Sequence, residues 1–267
     1  MSKIGFIGCG TMGSAIVKAV APHTEEKLLL YDIDEMVAIS LAKISGGVSL
    51  PLEELLSQAE TIVLAVKPQI LPHLYEVLYQ ATEKRWISLA AGVSLETLVS
   101  NLGSEEVIRI MPNIGAEVSR SVTAVTPCKG ASKEFISETV ALVKRFGSAH
   151  ILKEEHLAAF IGVSASAIAT CFEFLHGIAL GGVQQGLSYK EALALISDTM
   201  GSATALVREG DKHPKELQTG VCSPQGTTIE ALNVVLDNSF AGILMESVEA
   251  ASERALELEL LAKKENN

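Results

Sequence analysis

Three glycines near the start of the chain have a spacing that suits phosphate binding. They lie in the G-x-G-x-x-G loop Gly8-Cys9-Gly10-Thr11-Met12-Gly13. In such a loop the first glycine allows a tight turn, the second lets the backbone approach a pyrophosphate, and the third lets a helix pack closely on a strand. The free N–H groups of the following helix then face the phosphate oxygens. We therefore predict that a dinucleotide pyrophosphate binds at Gly8, Gly10, Thr11, Met12 and Gly13.

The elements on either side of the loop agree with this interpretation. The apolar run Ile4-Gly5-Phe6-Ile7 predicts a buried strand before the loop, and residues 14–20 predict a helix after it. A second apolar run, residues 28–31, ends at Asp32, which lies 19 residues after Gly13. A carboxylate about 20 residues beyond the loop typically bonds a ribose 2′-OH. We predict this role for Asp32.

The acidic character of the residues after this second strand bears on which dinucleotide binds. Asp32 is followed by Asp34 and Glu35, and no arginine lies nearby. Carboxylates at this position favour a free 2′-OH and repel the 2′-phosphate of NADP. The expected cofactor is therefore NADH, with NADPH as the alternative.

The first half of the chain alternates apolar strands with helical segments, which predicts a parallel sheet with crossover helices. Strands are expected over 61–66, 86–90, 107–110, 121–126 and 149–152, and one of the helices over 70–82. Pro68 and Asn113 follow two of these strands, at the sheet edge where ligands bind in such folds. We predict a Rossmann domain over residues 1–153, with Asn113 as a candidate contact to nicotinamide or substrate.

Beyond residue 153 the strand pattern disappears and helical spacing takes over. Helices are expected over 154–180 (one or two), 189–209, from near Pro214, over 228–236 and over 240–263. Helices this apolar cannot all bury themselves within about 110 residues. Residues 154–267 are therefore expected to form an all-helical dimerisation and substrate domain of a homodimer, or of a larger oligomer built from dimers. An intrachain bundle covering the sheet is the alternative.

Composition excludes several classes of partner. Hydrophobic residues make up 48% of the chain and the formal net charge is −11, so neither nucleic acid nor an anionic membrane surface is an expected partner. Residues 157–172 carry no charge but are too few for a membrane span. The four cysteines are widely separated, and the glycine loop begins too near Met1 for a signal peptide. We expect a cytoplasmic protein with reduced thiols and propose no metal site.

A second stretch whose residue types could take part in chemistry is Ser223-Pro224-Gln225-Gly226-Thr227-Thr228. Thr227 and Glu230 match the capping-box pattern S/T-x-x-E just before an apolar run. The pattern predicts a helix N-terminus after a tight turn, which suits a carboxylate or another anion. A turn that merely caps the helix is the alternative.

Together these segments resemble the pyrroline-5-carboxylate reductase family. That family carries an N-terminal loop like residues 5–13 and, near its end, a His-Pro pair followed by Ser-Pro-Gly-Gly-Thr-Thr, as in His213-Pro214 and residues 223–228. It also carries segments similar to Val66-Lys67-Pro68, Ser88-Leu89-Ala90-Ala91-Gly92-Val93 and Arg109-Ile110-Met111-Pro112-Asn113. The order and spacing match over nearly the whole chain.

The resemblance implies a Rossmann domain followed by an all-helical dimerisation domain. It also implies reduction of a small cyclic imine, Δ1-pyrroline-5-carboxylate, to L-proline, the last step of proline synthesis. Thr228, with Ser223, would be catalytic and would bond near the ring nitrogen to relay a proton. The implied substrate contacts are Ser164, Gln225, Gly226, Thr227 and Asn113. Beyond the glycine loop, Val66, Lys67, Pro68 and Ala90 are the implied cofactor contacts, in addition to Asp32, which is predicted from its spacing.

Three departures from the family pattern fall near the expected substrate pocket. Gln225 replaces a glycine, Ile114-Gly115 replaces Thr-Pro, and residues 162–167 keep only Ser164 and Ala167 of Ser-Gly-Ser-Gly-Pro-Ala. A reductase of another imine and a non-catalytic dinucleotide-binding regulator are therefore alternatives. A hydroxyacid dehydrogenase is disfavoured. Such enzymes generally place a catalytic lysine on the long helix after the Rossmann domain, and no lysine occurs between Lys153 and Lys190.

Overall fold

The first half of the chain folds around a twisted sheet with helices on both faces. In the computed structural model, residues 3–25 and 27–265 are described. The strands are β1 Ile4–Ile7, β2 Leu29–Tyr31, β3 Val48–Ser49, β4 Thr61–Leu64, β5 Arg85–Ser88, β6 Val107–Met111, β7 Ser121–Pro127 and β8 Gly147–Ile151. The α-helices between them are α1 Thr11–Val20, α2 Glu35–Ser45, α3 Leu52–Gln58, α4 Tyr75–Leu78, α5 Leu95–Leu102 and α6 Lys133–Val143.

The strand order is β3-β2-β1-β4-β5-β6-β7-β8. Neighbouring strands are parallel throughout, except that β7 runs antiparallel to β6. This arrangement confirms the predicted α/β class and the N-terminal Rossmann domain. Strand β3 was not predicted, since its two residues are too few to show a periodic pattern.

Alternating side chains of the strands enter two separate cores, one on each face of the sheet. Val63 of β4 belongs to the core that also contains Ile16 and Phe135. Its neighbours Ile62 and Leu64 belong to the other core, with residues from α3 and α5. Because both faces are covered, the strands are apolar at nearly every position, as is typical of parallel sheets.

The helix expected over residues 70–82 is wrong in its extent. The chain instead forms a 3-10 helix, Pro68–His73, followed by the short α4. Pro72 lies inside this segment. Proline donates no backbone N–H and its ring clashes with the preceding turn, so a continuous α-helix cannot pass through it.

The second half of the chain is helical, but its first helix is interrupted. A 3-10 turn, Glu154–His156, precedes a short α-helix, Leu157–Phe160, and a π-helical turn, Ile161–Ser166, follows that helix. The α-helices are α7 Leu157–Phe160, α8 Ala167–Gln184, α9 Tyr189–Glu209, α10 Pro214–Gly220, α11 Thr227–Asp237 and α12 Phe240–Glu265. The chain forms two compact units, one of residues 1–165 with 250–267 and the other of residues 166–249. The domain boundary at residue 153 stays a prediction.

Residues 166–249 have almost no core of their own. Among the hydrophobic residues described in this unit, Ala179 and Ala192 are buried. Large apolar side chains are exposed along its helices, such as Phe172, Leu195, Leu206, Val234 and Met245. Residues Glu154–Gln184 would also be long and apolar enough to cross a membrane, judged by length and composition only. An apolar surface of this kind in a helical unit needs cover from outside the unit.

Candidate active site

The glycine loop has the geometry that its spacing predicts. Gly8 has φ 102°, and a Cβ there would lie 2.7 Å from the carbonyl carbon of Ala65. A Cβ on Gly13 would lie 2.2 Å from the Gly8 oxygen. Only glycine fits either position. Around Gly10, by contrast, no described atom lies within 4 Å of where a Cβ would be, so its backbone is open to a ligand.

The N-terminus of α1 has free donors for an anion. Gly10 is the N-cap residue, no side chain caps the helix, and the first turn contains no acidic residue. The N–H of Ser14 is the first to bond within the helix, to the Gly10 oxygen at 2.8 Å. Thr11 is exposed, whereas Met12 packs against the core, so Met12 can contribute only its backbone. These features fit a dinucleotide pyrophosphate.

Asp32 lies beside this loop and holds it. Its Oδ2 accepts the N–H of Cys9 at 2.7 Å, and its Oδ1 accepts the N–H of Asp34 at 3.0 Å. Asp34 in turn caps α2 by accepting the N–H of Met36 at 3.1 Å. Each carboxylate oxygen has a further lone pair, so Asp32 can still accept from a ribose hydroxyl. These N–H donors, which a 2′-phosphate could otherwise use, are already bonded to carboxylates.

The remaining cofactor candidates lie at the same edge of the sheet. Val66, Lys67 and Pro68 follow β4, and Ala90 follows the adjacent β5. A Cβ on Gly8 would be 2.9 Å from the Val66 nitrogen, so this segment adjoins the glycine loop. Ala90 is buried and donates its N–H to Ser88 Oγ at 3.2 Å.

Asn113 and Ser164 are both buried and face each other. Asn113 Nδ2 donates to Ser164 Oγ across 3.4 Å. The amide oxygen of Asn113 accepts the N–H groups of Gly115 and Val122, at 3.1 and 3.2 Å. These bonds fix the amide in place. The geometry therefore supports a positioning role for Asn113, with Ser164 presented beside it.

The turn at residues 223–226 keeps the geometry of a glycine turn even though glutamine occupies it. The N–H of Gly226 donates to the Ser223 oxygen at 3.1 Å, and Gln225 has φ 57°. A positive φ at the third residue, after proline at the second, is the pattern of a type II turn. A Cβ on Gly226 would lie 2.3 Å from Ser223 Oγ, so any other residue there would displace the Ser223 side chain.

The predicted capping box at Thr227 and Glu230 is wrong. Gly226 is the N-cap residue of α11, and no side chain caps the helix. Thr227 and Thr228 are the first two helical residues. The S/T-x-x-E pattern predicts Thr227 as the N-cap, one residue after the observed N-cap Gly226, because the pattern takes no account of the preceding turn. The uncapped N–H groups suit an anionic ligand.

Replacing Gln225 by glycine should stabilise the protein. A left-handed conformation costs a residue with a Cβ about 1–2 kcal/mol, and glycine removes this cost. Part of the stability gained is offset because glycine has more conformational freedom in the unfolded chain. We expect Gln225→Gly to raise the free energy of unfolding by about 0.5–1 kcal/mol, measured by urea titration at fixed protein concentration. Gln225→Ala keeps the strain and should leave stability unchanged. A less stable glycine variant would contradict this prediction.

Comparisons with known proteins agree with the predicted resemblance. The family model described as pyrroline-5-carboxylate reductase dimerisation matches residues 154–258, and the one described as NADP oxidoreductase, coenzyme F420-dependent, matches residues 3–92. A pyrroline-5-carboxylate reductase of Methanosarcina acetivorans is 35% identical over 263 residues, covering 96% of this chain and 97% of that protein. The chain belongs to the pyrroline-5-carboxylate reductase family.

Other members of the pyrroline-5-carboxylate reductase family are similar over the same length. The reductase of Escherichia coli is 32% identical, covering 96% of this chain and 98% of that protein. The crystal structure of the Plasmodium falciparum pyrroline carboxylate reductase with NADP bound has a TM-score of 0.84 at 26% identity, and it covers 97% of this chain and 98% of that one. Membership confirms the predicted class, a nicotinamide-dependent reductase with a helical dimerisation region.

For Arg109 of β6 the sequence favours strand packing or an ion pair, but it could not name the partner in this reductase, Glu154, which lies 45 residues away. The available signal was a charged residue within the otherwise apolar strand 107–111. Cys9, although it lies in the glycine loop, is not a reactive thiol. Burial, and to a lesser extent the Asp32 carboxylate, raise its pKa to about 12.

Proposed function

We propose that this reductase converts Δ1-pyrroline-5-carboxylate to L-proline, with NADH as the preferred reductant, in proline biosynthesis. The observation that carries the proposal is the match to the Methanosarcina acetivorans pyrroline-5-carboxylate reductase over 96% of the chain. The glycine loop and the uncapped N-terminus of α11 agree with it, because the reaction needs a site for a dinucleotide and a site for a carboxylate.

In this proposal the turn and first residues of α11 hold the imine substrate. The free N–H groups at Thr227 and Thr228 bind its carboxylate, and Gln225 lies beside them. The Thr228 hydroxyl bonds the ring nitrogen and, with Ser223, passes it a proton. Bound NADH supplies the hydride that adds to the carbon of the C=N bond. One hydride and one proton together give the secondary amine.

Preference for NADH over NADPH rests on the surroundings of Asp32. Its carboxylate, that of Asp34 and the exposed Glu35 place three negative charges after β2, where a 2′-phosphate would be repelled. The Plasmodium falciparum relative was crystallised with NADP bound. A relative with NADP bound is compatible with this proposal, because the residues after the second strand of a Rossmann domain influence which dinucleotide binds.

The proposal includes a homodimer, alone or within a larger oligomer, in the cytoplasm. A second copy would cover the apolar helices of residues 166–249, including α8 of the long apolar stretch Glu154–Gln184. The match to a dimerisation family over residues 154–258 supports the proposal that a second copy of the chain, and not a membrane, covers these helices. Cys9, Cys128, Cys171 and Cys222 are all free thiols, as suits a reducing compartment.

Turnover of Δ1-pyrroline-5-carboxylate by wild type and Thr228→Ala tests the proposal. Wild type should oxidise NADH in a substrate-dependent way. Loss of a proton-transferring hydroxyl should lower kcat about 100-fold, as removal of a general acid typically does. The matched control is Thr219→Ala, because the exposed Thr219 hydroxyl bonds within its own helix, to the Lys215 oxygen at 2.9 Å. That variant should keep wild-type kcat.

Two results would count against the proposal. Binding of NADH without turnover of the imine would refute the reaction and favour a dinucleotide-binding regulator. Full turnover in Thr228→Ala would leave the reaction intact but refute the proton-transfer role of Thr228.

A further inference from the structure

Arg109 is a charged residue buried in the centre of β6. It is 4% exposed, and its Nη1 lies 2.5 Å from Oε1 of Glu154, which is 31% exposed. The same Oε1 accepts the N–H of Leu95, the first residue of α5, at 2.7 Å. One carboxylate thus joins β6, α5 and the start of the helical half of the chain. Because an unpaired buried guanidinium is costly, the pair holds this junction firmly.

A second polar attachment joins the same strand to the same helical segment. It is the bond between Asn113, just after β6, and Ser164 in the π-helical turn. Between the two attachments, Leu157, Phe160 and Ile161 pack against Met111 and Ala124. Residues 154–164 are therefore attached to β6 at both ends and by an apolar contact between them.

The segment between the two attachments is short. It consists of the 3-10 turn Glu154–His156, the four residues of α7 and the first part of the π-helical turn. Because this short segment is attached at both ends and between them, we expect a displacement at Glu154 to move Ser164 as well.

We propose that Arg109 and Glu154 are positioning residues for the substrate end of the active site. Their ion pair fixes where the chain enters α7 and the π-helical turn, and thereby sets the place of Ser164 beside Asn113. In this proposal both residues act through Ser164 and not by touching substrate or cofactor themselves. The inference rests on the proposed function, because it takes Ser164 as a substrate contact.

Three variants separate positioning from simple stabilisation. Glu154→Gln keeps an acceptor for the Leu95 N–H but removes the charge, and Arg109→Met removes the cation. The double variant removes both charges and should restore most of the melting temperature lost by Glu154→Gln, because that single change leaves the buried Arg109 guanidinium unpaired. The control is Glu138→Gln, which breaks the exposed ion pair to Arg85 on neighbouring β5.

With full-length dimeric enzyme, we expect kcat/KM for the imine to fall about 10-fold or more in all three variants, including the restabilised double variant. The Kd for NADH should stay within about twofold of wild type, because the glycine loop is untouched. Glu138→Gln should retain wild-type kcat/KM. If the double variant recovered both its melting temperature and kcat/KM, the pair would be purely structural and the proposal would be overturned.

A measurement without substrate keeps this inference separate from the proposed reaction. Hydrogen–deuterium exchange of amides 157–166 should be faster in Glu154→Gln than in wild type, and equal to wild type in Glu138→Gln. Unchanged exchange would overturn the positioning role even if the enzyme were active. Absence of imine turnover by wild type, with the expected exchange difference present, would refute the proposed substrate and leave the attachment of Ser164 standing.

Discussion

Gly13→Ala should abolish NADH binding and destabilise the protein. The new Cβ would lie 2.2 Å from the Gly8 oxygen, and Gly8 has little room to retreat because a Cβ there would already be 2.7 Å from Ala65. Helix α1 must therefore move away from β1, which takes the N–H groups at its N-terminus out of place. We expect Kd to rise at least about 100-fold and unfolding free energy to fall by about 1–3 kcal/mol, as overpacking does.

Gly10→Ala is the matched comparison, because it separates cofactor binding from packing. Gly10 has φ −67° and no described atom within 4 Å of a Cβ, so the melting temperature should be unchanged. NADH binding should still weaken by about 10-fold or more, since the Cβ would occupy the open side of the backbone that a pyrophosphate approaches. Fluorescence titration and thermal unfolding measure the two quantities. Tight NADH binding by Gly13→Ala would contradict the predicted role of the loop.

Asp32→Asn should shift cofactor preference toward NADPH. The change removes the negative charge that is proposed to lie next to the ribose but keeps one oxygen to accept the N–H of Cys9. A charge about 5 Å from a phosphate contributes about 1–3 kcal/mol at an intermediate dielectric. The ratio of kcat/KM for NADH to that for NADPH should therefore fall about 10- to 100-fold.

Asp34→Asn is the control for this cofactor experiment. It removes a nearby charge and preserves the cap of α2, because asparagine is as good an N-cap as aspartate. Asp34 adds to the repulsion less than Asp32 does, because it is exposed and its charge is screened, so its effect on the ratio should stay below about threefold. A wild-type enzyme that prefers NADPH, or an unchanged ratio in Asp32→Asn, would refute the role given to Asp32.

Local patterns were the parts of this protein that its sequence could predict. The glycine loop and the strand before it were predicted correctly, because tight turns and close backbone approach depend on residues only a few positions apart. The ribose contact of Asp32 stays a prediction. Helix α9 was predicted with its observed bounds, Tyr189–Glu209. The 70–82 helix failed for a local reason as well, since Pro72 was given too little weight.

Features that depend on distant residues were decided only by the tertiary structure. Glu154 is paired with Arg109, 45 residues away, and no sequence spacing indicates which carboxylate neutralises a buried cation. The amide of Asn113 is likewise held by groups brought to it by folding. At Gln225 the sequence could not decide whether the turn differs from a glycine turn, and the φ of 57° shows that its backbone is kept. Residue type and short spacing determine which groups are present, whereas the packing of strands and helices determines which of them meet.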